Sequence, residues 1–200
     1  VGGLGSPIAL YLAGAGVGTI GLVDDDVVSE SNLQRQVLYT EDEIGLSKAL
    51  QAQKRLQALN HDIRINAYPT RLTKENAASL IANYDIVVDG CDNFATRYII
   101  NDACAHWGRP YVYGAILAFE GQVSVFNYQG GPDYRTLYPD EEEMLAMPAP
   151  FKGVLGVTPG VIGCMEANEV MKIIGGYGEV LSGKLWQIDL RTMESYTIML

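Results

Sequence analysis

In the first half of the chain, short apolar blocks alternate with longer segments whose apolar residues recur at helical spacing. The short blocks are typical of buried strands, and the longer segments are typical of crossover helices. The predicted strands are residues 19–23, 63–67, 85–88 and 111–115. The predicted helices are residues 7–15, 47–59, 75–83 and 94–107. This order indicates an α/β fold with a mainly parallel sheet.

The pattern changes in the C-terminal half, where extended segments lie close together in sequence and suggest antiparallel additions to the sheet. The extended segments predicted there are residues 121–128, 185–190 and 195–200. Residues 140–152 combine an acidic run with Pro148 and Pro150, so we predict a loop. A last helix is predicted at residues 160–174. We find no internal repeat or domain boundary, so residues 1–200 are expected to form a single domain.

A glycine-rich turn opens the chain, with Gly2, Gly3 and Gly5 directly before the first predicted helix. Glycine has no side chain to obstruct its backbone amide, so these amides can approach a phosphate at a helix N-terminus. The alternative is that the glycines allow tight packing of the helix on a strand. Because such a turn normally follows a buried strand, we expect one strand and its lead-in before Val1. Asp24 ends the next strand, at the distance where an acid commonly binds ribose hydroxyls. Together these residues predict an adenine nucleotide without distinguishing ATP from a dinucleotide.

The next polar segment is SNLQRQ at residues 31–36, followed by Lys48 at the start of a predicted helix. Arg35 can fork onto phosphate oxygens, Lys48 can act as a point charge, and Asn32 adds a neutral donor. Two cations beyond the ribose site suit a triphosphate, and a hydride-transferring enzyme has no need for them. For a single Arg or Lys, a solvated surface position is the ordinary alternative.

A second polar segment, DGCDN at residues 89–93, follows the strand predicted at 85–88. The carboxyl ends of parallel strands are where open α/β sheets bind ligands. Asp92 could hold Mg²⁺ that bridges nucleotide phosphates, and it could equally cap the helix that begins near Phe94. Asn93 is compatible with both roles. We assign no catalytic role to the three cysteines, Cys91, Cys104 and Cys164, or to the two histidines, His61 and His106.

Composition limits the kinds of partner and the cellular compartment that we expect. The formal net charge of −10 argues against a nucleic-acid or anionic membrane surface, because both reward clustered Lys and Arg. Three cysteines without a close-spaced pair suggest no disulfide framework and fit a reducing cytosol. No leader and no apolar run long enough to span a bilayer is apparent, so a cytoplasmic location is expected.

Several motifs resemble the ThiF/MoeB/HesA family in order and spacing. They are VGGLG at residues 1–5, LVD at 22–24, SNLQRQ at 31–36, Lys48 and CDN at 91–93. Residues 114–126, 132–135 and 153–172 are also similar, so the resemblance covers essentially the whole chain. It implies a Rossmann-like fold and ATP-dependent adenylation of the C-terminal glycine of a ubiquitin-like sulfur-carrier protein. The carrier would be ThiS-like or MoaD-like, serving thiamin or molybdenum-cofactor biosynthesis.

The resemblance also implies roles for individual residues. Asp24 would bind the ribose, Arg35 and Lys48 would bind the phosphates, and Asp92 would hold Mg²⁺. The predicted catalytic residues are therefore Arg35, Lys48 and Asp92. The predicted ATP-binding set is Gly2, Gly3, Gly5, Asp24, Asn32, Arg35, Gln36, Lys48, Asp92 and Asn93. A loop near Pro148 would cover the carrier's tail, and the protein would be a homodimer.

Two departures from the family pattern change what is expected. Members with structural zinc carry two Cys-x-x-Cys pairs, but Asp133 and Thr136 occupy the positions of the first pair, so no structural zinc is expected. Ala149 stands where some relatives have a crossover-loop cysteine, so no covalent sulfur link through this loop is expected. The alternatives are an NAD-dependent oxidoreductase and a non-catalytic binder of a ubiquitin-like protein. Adenylation of a tRNA-borne carboxylate is disfavoured by the acidic balance.

Overall fold

The computed structural model describes residues 1–148 and 153–200. Its strands are β1 (Thr19–Val23), β2 (Arg64–Tyr68), β3 (Val87–Val88), β4 (Tyr111–Leu117), β5 (Glu120–Phe126), β6 (Lys184–Asp189) and β7 (Glu194–Met199). Its α-helices are α1 (Gly5–Gly14), α2 (Lys48–Leu59), α3 (Lys74–Ile81), α4 (Phe94–Trp107), α5 (Tyr134–Leu137), α6 (Glu141–Ala146) and α7 (Val157–Gly175). Two short 3₁₀ helices lie at Glu30–Asn32 and Glu41–Glu43. None of the helices described here is long and apolar enough to cross a membrane.

The strands form two sheets. β1 pairs with β2 in parallel, and a five-stranded sheet has the order β3-β4-β5-β6-β7. In that sheet β3 and β4 are parallel, whereas the three following pairs are antiparallel. The predicted α/β fold, with antiparallel strands added in the C-terminal half, is confirmed. Over the described residues β1 and β3 do not pair with each other, and an open cleft lies between them.

The hydrophobic core lies on both faces of β4 because side chains alternate along a strand. Val112 belongs to a cluster that contains residues of α1, α7, β1 and β2. Tyr111 and Tyr113 face the other way, into a cluster with α3, α4 and Tyr134. This alternation places β4 between helices, and the carboxyl ends of β1 and β3 are open to the cleft.

Most predicted elements are confirmed, with shifts of a few residues at their ends. The loop predicted at residues 140–152 is wrong over Glu141–Ala146, which forms α6. The Asp140 side chain accepts from the Glu143 amide at 2.9 Å and caps that helix, and acidic residues in its first turn suit the positive end of the helix dipole. Residues 149–152 of the same predicted loop lie outside the described residues.

Two further boundaries differ from the prediction. α7 begins at Val157 instead of residue 160, because Pro159 is tolerated within a first helical turn whose amides have no intrahelical partner. β3 spans only Val87–Val88, although residues 85–88 were expected to be extended. The amide of Asp89 still donates to the Val112 carbonyl at 2.9 Å, so the chain stays beside β4 until it reaches the second polar segment.

Candidate functional site

An open cleft lies at the carboxyl ends of β1 and β3 and continues into the gap between these strands. All ten predicted ATP-binding residues line it. They come from the glycine turn, the end of β1, the 31–36 segment, the start of α2 and the segment after β3. Segments far apart in sequence therefore converge on one opening, as expected at the carboxyl edge of parallel strands.

The glycine turn forms the N-terminus of α1. Gly5 is its first residue, and both the Ser6 amide and the Ser6 hydroxyl donate to the Gly2 carbonyl, at 2.9 and 2.7 Å. A Cβ at Gly3 would lie 3.2 Å from Cβ of Pro159. The first amides of a helix have no intrahelical partner and carry its positive dipole end. This turn can therefore accept an anion, and its glycines also permit close packing, so both readings apply.

Asp24 directly follows β1, and its carboxylate accepts a hydrogen bond from the Asp26 amide at 2.9 Å. In the glycine turn, the Val1 carbonyl accepts from the Tyr39 hydroxyl at 2.8 Å. Burial raises the pKa of Tyr39, and the charges of Asp24 and Glu43 raise it further, so this hydroxyl stays a donor at neutral pH. Tyr39 thus holds the start of the glycine turn, and the Asp24 carboxylate holds the segment that follows β1.

The two predicted cations have different surroundings. The Lys48 side chain is only 4% exposed, and its ammonium donates to the Asp26 carboxylate at 2.9 Å. The Lys48 amide also donates to the Asp26 carbonyl at 3.0 Å. Arg35 is half-buried, and its guanidinium donates to the Ser31 carbonyl at 3.3 Å. Sequence reasoning missed Asp26, although the run of three acids after β1 is a signal that could have indicated it.

Two amide side chains complete this wall of the cleft. Gln36 is 5% exposed, its nitrogen lies beside Gly2, and its carboxamide oxygen is buried without a hydrogen-bond partner in the part of the chain that is described. The Asn32 side chain donates to the Ser31 hydroxyl at 3.5 Å, and the backbone carbonyl of Asn32 accepts from the backbone amide of Gln36 at 2.9 Å. A buried acceptor such as the Gln36 carboxamide oxygen usually accepts a hydrogen bond from water or from a ligand.

On the opposite wall, Asn93 and not Asp92 caps α4. The Asn93 side-chain oxygen accepts from the Thr96 amide at 2.9 Å, and its nitrogen donates to Asp92 at 3.4 Å. The capping alternative for Asp92 is therefore wrong, and its exposed carboxylate faces the cleft. Within residues 1–148 and 153–200 no group of three His, Cys, Asp or Glu side chains could hold a metal unaided. A single carboxylate suits Mg²⁺ that is also bound by nucleotide phosphates.

The cysteine thiols are poor nucleophiles at neutral pH. Burial, followed by the charge of Asp89, raises the pKa of Cys91 well above its usual value. Burial alone raises the pKa of Cys104 to about 12, and it also raises the pKa of Cys164. The thiolate is the reactive form of cysteine, so these three side chains fit packing roles.

The segment that carries Asp133 and Thr136 is held by side-chain hydrogen bonds. Asp133 accepts from the amide and the hydroxyl of Thr136, at 3.0 and 3.1 Å, and so caps α5. Arg135 makes ion pairs with Asp102 at 2.7 Å and Glu141 at 2.8 Å. These contacts link α4, α5 and α6 in the region where zinc-containing relatives were expected to have cysteines.

Residues on both sides of positions 149–152 reach the cleft. Met147 and Pro148 line it on one side, and Gly153 and Val154 line it on the other. Ala149, the position compared with a crossover-loop cysteine, lies outside the described residues. The cleft is therefore bordered by the ends of the segment predicted to cover a carrier's tail.

Known proteins resemble the whole chain. A family model described as "ThiF family" matches residues 1–200. A probable molybdopterin-synthase adenylyltransferase of Porphyra purpurea is 48% identical over 194 residues, which are 96% of this chain and 51% of that protein. A sulfur carrier protein adenylyltransferase of Thermus thermophilus is 50% identical over 194 residues, 94% of this chain and 72% of that protein. The chain thus spans about half the length of the first relative.

The fold also has counterparts among solved structures. A crystal structure of E. coli MccB with ATP has a TM-score of 0.81 at 24% sequence identity, covering 99% of this chain and 61% of that one. A crystal structure of SeMet PaaA has a TM-score of 0.83 at 22% identity, with the same coverage of each chain. At these identities the likeness shows a shared fold.

Proposed function

The chain belongs to the ThiF family, and from this premise we propose that it adenylates the C-terminal glycine of a ubiquitin-like sulfur-carrier protein with ATP. The observation that carries the proposal is the convergence of all ten predicted ATP-binding residues on one cleft. The Thermus thermophilus relative is named a sulfur carrier protein adenylyltransferase, which supports this substrate class. The Porphyra purpurea relative is a probable molybdopterin-synthase adenylyltransferase, so a MoaD-like carrier is the first to test and a ThiS-like carrier the second.

In the proposed reaction an oxygen of the carrier's terminal carboxylate attacks the α-phosphorus of ATP. The bond from this phosphorus to the oxygen that leads to the β-phosphate breaks, and pyrophosphate leaves. The products are an acyl-adenylate and pyrophosphate. The nucleophile is already anionic at neutral pH, so it requires no general base, and the main obstacle is the approach of one anion to another.

The residues of the cleft would meet this obstacle by neutralising charge. Asp24 would orient the nucleotide through the ribose, and the amides of the glycine turn would face the phosphates. Lys48 would exchange its contact with Asp26 for phosphate oxygens, and Arg35 would fork onto them. Asp92 would hold Mg²⁺, which supplies further neutralisation of the phosphate charge when bound.

Residues 1–200 would act as one cytoplasmic adenylyltransferase domain, and the protein would form a homodimer. It would contain no structural zinc, because the Asp133–Thr136 cap and the Arg135 ion pairs already hold that segment. It would also use no covalent sulfur link through its crossover loop. A monomer in sedimentation at micromolar concentration would contradict the dimer.

The decisive experiment is ATP–pyrophosphate exchange with each candidate carrier. Exchange should appear only with the true carrier, because the reversible step requires its terminal carboxylate. A carrier that lacks its last glycine is the matched control. Exchange that is absent with both the MoaD-like and the ThiS-like carrier would refute the proposed activity. Preferential binding of NAD over ATP would favour an oxidoreductase, and carrier binding without any nucleotide binding would favour a non-catalytic role.

A further inference from the structure

We propose that Asp89 and Arg97 are positioning residues, which hold the backbone of Cys91 so that Asp92 points at the metal–nucleotide complex. The inference rests on the proposed function, in which Asp92 holds Mg²⁺. Asp89 follows β3, and Arg97 lies in the first turns of α4. Asp89 is fully removed from solvent, and Arg97 is 7% exposed at the border of the cleft, with its Nε and Nη2 bonded to protein acceptors.

The two side chains form a buried ion pair with additional hydrogen bonds. Nε of Arg97 donates to Oδ2 of Asp89 at 2.9 Å, and the Tyr111 hydroxyl donates to the same oxygen at 3.0 Å. The guanidinium also lies 5.4 Å from the centre of the Tyr113 ring and 5.9 Å from that of Phe94. With its plane set by these neighbours, the guanidinium can direct its remaining donors along fixed lines.

Those remaining contacts converge on the residue before Asp92. The Cys91 amide donates to Oδ1 of Asp89 at 2.8 Å, and Nη2 of Arg97 donates to the Cys91 carbonyl at 3.1 Å. The same Nη2 donates to the Gly114 carbonyl of β4 at 3.3 Å. Both backbone polar groups of Cys91 are thereby tied to the ion pair, which is itself tied to the central sheet.

The residue after Asp92 is also held, because Asn93 caps α4. Asp92 is thus an exposed carboxylate between two residues whose positions are set by buried or capping hydrogen bonds. Such support reduces the movement of a metal-binding group and favours one orientation before the ligand arrives. A buried ion pair contributes little net stability compared with apolar side chains of similar size, so an orienting role accounts for the pair better than stability does.

The test is Arg97→Lys, which keeps the positive charge and loses the forked geometry. Loss of a group that orients a metal ligand typically weakens metal affinity by about 10- to 100-fold. We expect Mn²⁺ binding to the protein with a non-hydrolysable ATP analogue, followed by electron paramagnetic resonance, to weaken by at least about tenfold. The Cys91 amide should also exchange its hydrogen faster. The KM for ATP at saturating Mg²⁺ should change much less than the Mg²⁺ requirement.

Arg135→Lys is the matched control, because Arg135 also pairs with carboxylates and lies over an aromatic ring, 4.8 Å from the centre of Tyr98. It should leave Mn²⁺ affinity unchanged. Tyr111→Phe is the milder second variant, should Arg97→Lys fail to fold. It removes one hydrogen bond to Asp89, and we expect it to weaken Mn²⁺ binding by a few-fold, about the value of one such bond.

Asp92→Asn separates this inference from the function on which it rests. If Asp92→Asn retains wild-type Mn²⁺ affinity, the assignment of Asp92 to the metal fails. If Asp92→Asn weakens binding while folded Arg97→Lys and Tyr111→Phe both bind Mn²⁺ like the wild type, the positioning proposal is overturned. It is also overturned if Arg97→Lys weakens ATP binding and leaves Mn²⁺ affinity unchanged.

Discussion

Replacing Glu166 with Gln should make the protein more stable, and increasingly so as the pH rises. Glu166 lies on α7 with 0% exposure, and neither carboxyl oxygen has a hydrogen-bond partner among the described residues. Burial, followed by the charge of Asp89, raises its pKa well above the usual 4.5, while Arg97 acts in the opposite direction. The folded protein therefore keeps this carboxyl protonated at pH values where the unfolded chain releases the proton.

The sign follows from the number of bound protons. Above pH 4.5 the unfolded chain binds fewer protons at this position than the folded protein, so the free energy of unfolding falls as the pH rises. The loss is about 1.4 kcal/mol for each pH unit between 4.5 and the pKa of the folded protein. Glutamine has nearly the same shape and does not titrate. The two proteins should therefore have similar stability near pH 4.5 and diverge as the pH rises toward the pKa of Glu166 in the folded protein.

Urea denaturation at several pH values measures this difference. Glu169→Gln is the matched control, because Glu169 lies one turn further along the same helix with 1% exposure but has partners. It accepts from the Leu181 amide at 2.9 Å and pairs with Lys172, so its replacement should destabilise the protein. Parallel stability curves for the wild type and Glu166→Gln would refute the reasoning, because they would mean that Glu166 binds its proton equally well folded and unfolded.

Three further outcomes are expected. Arg35→Ala and Lys48→Ala should each lower ATP–pyrophosphate exchange by about a hundredfold or more, the scale of one preorganised charge contact. Lys54→Ala is the control, because Lys54 is exposed on α2. Unchanged exchange in both site variants would remove Arg35 and Lys48 from the mechanism. Gly114→Ala should lower the free energy of unfolding by about 1–3 kcal/mol because its Cβ would lie 2.3 Å from Cδ of Glu166, and Glu166→Ala should partly rescue it in a double variant. Metal analysis of the purified full-length protein should find no bound zinc. A near-stoichiometric amount of zinc would contradict the expectation, based on Asp133 and Thr136, that the protein has no structural zinc.

The sequence determined the α/β fold, and it predicted ten binding residues that all line one cleft. Strand and helix periods are local properties, because one buried face repeats every two or every 3.6 residues. Phe94–Trp107 and Thr19–Val23 were accordingly predicted at their observed bounds. The location of the site motifs could be predicted for a related reason. In a parallel sheet, residues at successive strand ends are brought to one edge whatever the details of packing.

Only the tertiary structure decided which polar residues are buried and which partners they have. Asp89 and Asp92 are three residues apart in one polar segment, yet Asp89 pairs with Arg97 inside the protein while Asp92 faces the cleft. Glu166 and Glu169 have the same helical context, but among the groups that the structure describes only Glu169 meets a cation and a backbone amide. These outcomes depend on the packing of α7 and α4 against β4, which joins residues distant in sequence. A local pattern records that a side chain is polar, whereas its charge state and orientation follow from the groups that folding places around it.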